Sequence, residues 1–173
     1  EYYEKSLGIA KETGVKVDES ECYINLGVAY YYLGDSKRAI EYYEKSLGIA
    51  KETGVKVEES TCYRGLGAAY HSLGDFKRVI EYNKKSLFLP RWPLLYPQNY
   101  DYYANLGAAY HSLGDSKKAI EYYLKAEKIF KETRQIYNLE KIHKDLFLFY
   151  QKIGDDKNAE VYKKKLSSDI KIL

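Results

Sequence analysis

A ten-residue stretch returns through this chain at a constant spacing of 40 residues. It reads LGVAYYYLGD from Leu26 to Asp35 and LGAAYHSLGD at both 66–75 and 106–115, and a divergent copy, LFLFYQKIGD, covers 146–155. A fixed period of this length is typical of arrays in which each repeat packs mainly on its neighbours. The period therefore constrains the fold more than any single residue does.

Within each repeat, apolar residues recur at helical spacing and glycine separates two helices. Tyr23, Leu26 and Tyr30 fall on one face of a front helix that is expected to begin near residue 18 and to end near Gly34. Asp35 is expected to cap the back helix that follows, because its carboxylate can accept from free backbone N–H groups. A connection of about two residues makes the two helices antiparallel neighbours.

One glycine lies inside each predicted front helix, where glycine costs about 0.5–1 kcal/mol relative to alanine. It occurs in the first three repeats, which share the LGxAY pattern, as Gly27, Gly67 and Gly107. Its return predicts a close approach of the back helix at this point. The small residues expected opposite these glycines are Ala39, Val79 and Ala119.

We expect residues 1–173 to form a single array of repeats. We expect a back helix at 1–17, full repeats at 18–57, 58–97 and 98–135, and a C-terminal capping repeat with a tail at 136–173. Residues 1–17 return letter for letter at 41–57, so we interpret the chain as a piece of a longer protein that opens within a repeat. In the last repeat Phe147 replaces the glycine and is expected to force its helix pair apart or turn it.

The segment 88–102, FLPRWPLLYPQNYDY, breaks the repeat pattern with Pro90, Pro93 and Pro97. These prolines predict a shortened back helix and a delayed front helix. One interpretation is a functional loop that carries Trp92; the other, which we favour, is a divergent connector.

Composition argues against several classes of function. The net charge is +3 with both signs interleaved, and no basic block indicates nucleic acid or an anionic membrane. Cys22 and Cys62 occupy equivalent places about 10 Å apart, beyond the roughly 7 Å limit of a disulfide, so we expect reduced core thiols in a cytoplasmic protein. No metal, cofactor or catalytic pattern emerges, and we expect the chain not to be an enzyme.

The pattern Tyr23-x-x-Leu26-Gly27-x-x-Tyr30, followed by Ala39-x-x-x-Tyr43, resembles the tetratricopeptide repeat. The 40-residue period is similar to that of the Leu-Gly-Asn repeats of G-protein-signalling modulators, of kinesin light chains and of the sensor arms of some bacterial signalling proteins. The resemblance implies an all-α, right-handed solenoid of antiparallel helix pairs.

The same resemblance implies a concave groove, lined by the front helices, that holds a peptide. The positions matching that groove are Ile24, Asn25, Val28, Tyr31, Tyr32, Arg64, Ala68, His71, Asn105, Ala108, His111 and Lys144. Asn25 and Asn105 are similar to the groove asparagines of the Leu-Gly-Asn subtype, whose second asparagine is missing here. The alternative is that these are ordinary exposed positions of a spacer. We interpret His71 and His111 as copies of one ancestral residue rather than as a pH sensor or metal site.

We therefore expect a non-catalytic scaffold or adaptor module that binds a peptide segment of a protein partner. The alternatives are a regulatory arm of a larger signalling enzyme and a module that self-associates through its N-terminal helix. No partnership with nucleic acid or membrane is expected.

Overall fold

The computed structural model describes residues 2–87 and 101–169, which form nine α-helices and no strand. The helices are α1 Tyr2–Thr13, α2 Lys16–Tyr32, α3 Ser36–Thr53, α4 Lys56–Ser72, α5 Phe76–Leu87, α6 Asp101–Ser112, α7 Ser116–Glu132, α8 Ile136–Lys152 and α9 Asp156–Asp169. The predicted all-α helical solenoid class is confirmed. Trp92 and the three prolines lie outside the described residues.

The helices belong to two compact units, one built from α1–α5 and the other from α6–α9. In unit 1 the front helices are α2 and α4, and the back helices are α1, α3 and α5. In unit 2 the front helices are α6 and α8, and the back helices are α7 and α9. Each front helix packs on the back helix that follows it, as the short connections predict.

The helix ends follow the sequence signals. Gly34, with φ of 81°, ends the turn after α2, and the Asp35 carboxylate accepts the backbone N–H of Arg38 at 3.0 Å to cap α3. Asp115 caps α7 in the same way. The first front helix begins at Lys16 rather than near residue 18, because the left-handed Gly14 (φ 73°) lets the chain re-enter a helix almost at once.

The repeated glycine does allow a close approach, but its neighbour is not the expected alanine. A Cβ at Gly27 would lie 2.8 Å from the Tyr43 ring, and one at Gly107 would lie 2.6 Å from the Tyr123 ring. Gly67 instead faces Asn83, whose Oδ1 would be 3.1 Å from such a Cβ. Ala39 and Ala119 were expected as the opposing groups, but the atoms nearest to the added Cβ belong to an aromatic ring, which fills the space that the missing side chain leaves.

A pair of stacked tyrosines joins the front and back helices in every repeat. Ring centroids are 5.3 Å apart for Tyr30–Tyr42, 5.5 Å for Tyr70–Tyr82, 5.4 Å for Tyr110–Tyr122 and 5.6 Å for Tyr150–Tyr162. Basic side chains lie over these rings, for example Arg38 over Tyr30 at 4.3 Å and Lys165 over Tyr162 at 4.0 Å. This arrangement explains eight of the 21 tyrosines.

Phe147 does not force the last helix pair apart. The tyrosine stack between α8 and α9 has nearly the same centroid distance as the other three. The back-helix position that holds Tyr43 and Tyr123 is taken by Lys163, which is exposed.

A chain of small polar groups joins α2, α3 and α4 inside unit 1. Ser20 and Ser46 share a hydrogen bond of 2.9 Å, the Cys62 thiol donates to Ser46 at 3.1 Å, and Ser20 also donates to the Glu58 carboxylate. Burial raises the pKa of Cys62 to about 11, so this thiol stays protonated.

Both cysteines are unpaired, but only Cys62 lies in the core. Cys22 is half-buried. Ser6, the counterpart of Ser46 one repeat earlier, is half-buried too and donates to the carbonyl of Tyr2 in its own helix. The prediction of a core thiol was therefore wrong for Cys22, which lacks the partner that encloses Cys62.

Unit 2 holds a buried carboxylate that the sequence analysis did not anticipate. Glu127 stands where the earlier repeats have leucine, and its Oε1 accepts from Lys131 at 2.7 Å, Lys165 at 2.8 Å and His143 Nε2 at 3.1 Å. Its Oε2 accepts from the Tyr162 hydroxyl at 3.0 Å. Burial by itself would raise the pKa of Glu127, but the hydrogen bonds from His143, Lys131 and Lys165 hold it well below its usual range.

The glycine–tyrosine contact gives a prediction with a matched control. Gly107→Ala should lower the free energy of unfolding by about 1–3 kcal/mol, because its Cβ would enter the Tyr123 ring. Gly48→Ala, in the interior of α3 with nothing within 4 Å, should raise it by about 0.5–1 kcal/mol. Urea unfolding of both variants measures the difference. Equal effects would contradict the close contact.

The Glu127 network gives a prediction about pH. The pKa of Glu127 is lowered in the folded state, so its stabilisation is present above the unfolded pKa of about 4.3 and is lost as the pH falls below it. Glu127→Gln should cost roughly 3 kcal/mol near neutral pH, since it leaves buried donors without a charged acceptor. The difference from the unsubstituted chain should shrink in acid. Glu160→Gln, at an exposed site on α9, is the control, and a cost that is the same at all pH values would contradict the assignment.

Candidate functional site

The groove positions predicted in unit 1 lie on two neighbouring front helices. Ile24, Val28 and Tyr31 recur along α2 at helical spacing, and Arg64 and Ala68 lie at the matching places on α4. The two helices are in direct contact. We call the surface formed by these five residues, with Tyr32 and His71, the front-helix face of unit 1.

Much of this face is apolar and open. Tyr32 is 82% exposed, Val28 is exposed, and Ile24, Tyr31 and Ala68 are half-buried. The rings of Tyr31 and Tyr32 meet edge to face with centroids 5.7 Å apart, so each holds the other in position. Exposed aromatic side chains held in this way are typical of binding surfaces.

A residue of the back helix also reaches this face. The Tyr43 ring lies between Gly27 of α2 and Gly65 of α4: a Cβ at Gly27 would meet the middle of the ring, and one at Gly65 would meet its hydroxyl-bearing end. Tyr43 is only 4% exposed. Its ring therefore passes between the two front helices, a position that the repeat spacing by itself does not reveal.

The pKa of Tyr43 is set by burial and by four neighbouring groups. Burial raises the pKa of Tyr43 well above its usual range; Cys62, Tyr31 and Tyr32 raise it further, and the positive charge of Arg64 opposes them. Three of these four neighbours belong to the front-helix face. The hydroxyl therefore stays protonated and can donate a hydrogen bond there.

Arg64 is half-buried and has no ion pair or hydrogen bond with any residue that the structure describes. Other arginines near it in sequence are paired: Arg38 with Asp35, and Arg78 with Asp75 and the Tyr70 hydroxyl. Asn25, the remaining predicted position of unit 1, is half-buried beside Gly27 on α2. Arg64 thus supplies an uncompensated positive charge at this surface.

The predicted positions of unit 2 lie on α6 and α8. Asn105 and Lys144 are exposed, and Ala108 and His111 are half-buried. The His111 ring meets Phe149 edge to face at 5.0 Å, and its Nε2 lies 3.4 Å from the Lys152 ammonium. Burial and then Lys152 lower the pKa of His111, so it is neutral at physiological pH.

His71 has different surroundings, since it is exposed and its ring meets Phe76 at 5.8 Å. In residues 2–87 and 101–169, no group of three histidine, cysteine, aspartate or glutamate side chains could hold a metal ion. The same described residues contain no helix long and apolar enough to cross a membrane.

Two further polar residues depart from the repeat pattern. Asp145 stands where the other repeats have Asn25, Gly65 and Asn105, and burial raises its pKa against the opposing charges of Lys141, Lys144 and His111. Asn83 stands in the place of Tyr43, and its Nδ2 is fully enclosed without a hydrogen-bond partner. Aligning the four copies residue by residue would have singled out both positions.

Two family models match the chain, and both describe the tetratricopeptide repeat. One matches residues 1–52 and the other residues 100–133. The chain belongs to the tetratricopeptide-repeat family. Members of this family are protein–protein interaction modules, and we assign the chain to that class. Among curated protein sequences, none is significantly similar to it.

Solved structures with the same fold come from bacteria and fungi. The apo form of RapI is 20% identical with a TM-score of 0.85, over 96% of this chain and 61% of that one. Aspartyl phosphate phosphatase F from Bacillus subtilis is 18% identical with a TM-score of 0.74, over 89% and 40%. A Podosopora anserina chain described as a kinesin light chain with nearly identical TPR-like repeats is 19% identical with a TM-score of 0.77, over 96% and 83%. The chain thus spans two fifths to three fifths of the two bacterial structures, and these likenesses show the fold.

Proposed function

We propose that this tetratricopeptide array is a non-catalytic scaffold or adaptor module that binds a peptide segment of a protein partner on its front helices. The observation that carries the proposal is the front-helix face of unit 1, which combines the exposed Tyr32 and the half-buried Tyr31 with Arg64, which is unpaired among the described residues. Aromatic side chains bury a large area at low entropic cost, and arginine can bind a carboxylate with two parallel hydrogen bonds.

The contrast between core and surface positions supports the same proposal. The residues that pack front on back helices are largely kept in the first three repeats. The neighbouring surface positions change from Tyr31 and Tyr32 on α2 to His71 and Ser72 on α4, and α6 keeps the second pair as His111 and Ser112. Packing does not require this variation. A surface that distinguishes one peptide from others would require it.

The runner-up is a regulatory arm of a larger signalling protein. The structural likeness to RapI and to aspartyl phosphate phosphatase F, each longer than this chain, is the observation that favours it. Such an arm would also bind peptide or protein on its front helices, so the two proposals differ in what lies elsewhere in the full-length protein.

The test begins with peptides selected from a display library of short random sequences on the immobilised chain. Tyr31→Ala and Arg64→Ala should each weaken binding of the selected peptides by more than about 1 kcal/mol, because both side chains lie at the front-helix face. Fluorescence titration measures affinity, and melting curves should hardly change, since neither side chain is buried between helices.

Tyr137→Ala is the matched control, because this tyrosine of α8 in unit 2 is 77% exposed and outside the front-helix face of unit 1. It should leave binding unchanged. Glu41→Ala tests the opposite surface, on the back helix α3. Loss of binding in Glu41→Ala with normal binding in Tyr31→Ala and Arg64→Ala would place the site on the back helices and refute the proposal.

A further inference from the structure

His111 and His71 occupy the same repeat position, but the residues around them differ. The His71 ring meets Phe76 of its own helix pair, and α7 has Ser116 at the place of Phe76. The His111 ring lies instead against α8, where it meets the fully buried Phe149 edge to face with centroids 5.0 Å apart. His111 is thus a side chain of α6 that contacts the next front helix.

Three residues on one face of α8, next to His111, depart from the repeat pattern together. The position of Phe149 holds alanine in the other three repeats. Lys152 replaces tyrosine or serine, and Asp145 replaces asparagine or glycine. Asp145 comes four residues before Phe149 and Lys152 three residues after it, so each charged residue lies about one helical turn from the Phe149 ring. His111, packed on that ring, therefore lies between a cation and an anion.

The neutral form of His111 is suited to Lys152. Its Nε2 lies 3.4 Å from the ammonium nitrogen and can accept a hydrogen bond from it when the ring proton is on Nδ1. A protonated imidazole carries a proton on both nitrogens, so it cannot accept, and its positive charge repels the ammonium. Protonation therefore removes the contact with Lys152.

The protonated form of His111 is suited to Asp145. Asp145 is half-buried, and the positive groups that act on it are Lys141 and Lys144 of its own helix and His111 of α6. From α7, the Tyr123 hydroxyl stays protonated, because burial and Asp145 raise its pKa well above the usual range. His111 is therefore the group in this cluster whose charge changes in mildly acidic solution, and its charged form is attracted to the carboxylate.

We propose that His111 is a pH-sensitive switch on the surface shared by α6 and α8, which contacts Lys152 when it is neutral and turns to Asp145 when it is protonated. The exchange frees the ammonium of Lys152 and compensates the carboxylate of Asp145, so in acid this surface presents a free positive charge in place of a negative one. The switch goes beyond the proposed peptide binding and does not depend on it, because all of its groups belong to this chain.

The test is an NMR titration of the histidine ring protons from neutral to mildly acidic pH. Lys152→Gln should raise the midpoint of His111 by about 0.5 pH unit, because it removes the repelling charge, and Asp145→Asn should lower it by a similar amount. His71, the copy of this residue in unit 1, is the internal control, and its midpoint should not change in either variant. Melting at neutral pH should hardly change, since Lys152 is exposed and Asp145 is half-buried.

Nuclear Overhauser contacts of the His111 ring distinguish a switch from a simple titration. The ring should contact the side-chain methylenes of Lys152 at neutral pH and the β-protons of Asp145 in acid. Its contact with Phe149 should persist under both conditions, because that ring carries no titratable group.

Three results would overturn the switch. The first is a midpoint of His111 that neither substitution moves. The second is a ring that stays beside Lys152 in acid, since the histidine would then titrate without exchanging its partner. The third is an equal change at His71, which would show that the substitutions act through the net charge of the chain rather than through a contact.

Discussion

Tyrosine rings join the front helix to the back helix in every helix pair, through a stacked pair in all four and through a glycine–tyrosine contact in two. In unit 1 Gly27 admits Tyr43, and in unit 2 Gly107 admits Tyr123. Glycine is unfavourable inside a helix, but here it lets a large ring bury its surface where a methyl group would collide. The outer tyrosines stack at about the same distance in every repeat, including the two pairs α4–α5 and α8–α9 that lack the glycine–tyrosine contact, so the stack is the interaction common to all four pairs.

The sequence was sufficient for the helices and their order, because those depend on local signals. Apolar spacing, left-handed glycines and capping aspartates each act within a few residues, and Gly34 and Asp35 behave as their types predict. The partner of each glycine was not predictable in this way. Ala39 and Tyr43 are one helical turn apart, and which of them faces Gly27 depends on the rotation of the back helix, which only packing decides.

Some residues of the candidate site could be identified from sequence and others could not, for the same reason. Tyr31, Tyr32 and Arg64 could be proposed from sequence, because their positions on the front helices follow from the period alone. The position of the Tyr43 ring could not, since it depends on a gap between α2 and α4 that exists because residue 65 lacks a side chain. Whether Arg64 is paired also depends on rotamers of several helices, which no spacing rule fixes.

Buried polar side chains contribute differently to the stability of different repeats. Glu127 and His143 replace a leucine and a tyrosine of the earlier repeats and are hydrogen-bonded to each other, so one substitution compensates the other. Asn83, which replaces a tyrosine, has no such compensation at its Nδ2. A buried donor without a partner costs about 1–3 kcal/mol, so unit 1 carries a local instability that unit 2 avoids at the equivalent position with Tyr123.

The exchange at residue 65 shows how a degenerate repeat can change its surface without changing its fold. Three front helices have a polar side chain at this position, namely Asn25 on α2, Asn105 on α6 and Asp145 on α8. In α4 that side chain is absent, and the back-helix Tyr43 brings a hydroxyl to the gap instead. The polar group near this position thus comes from the tyrosine ring of the back helix rather than from a short side chain of the front helix.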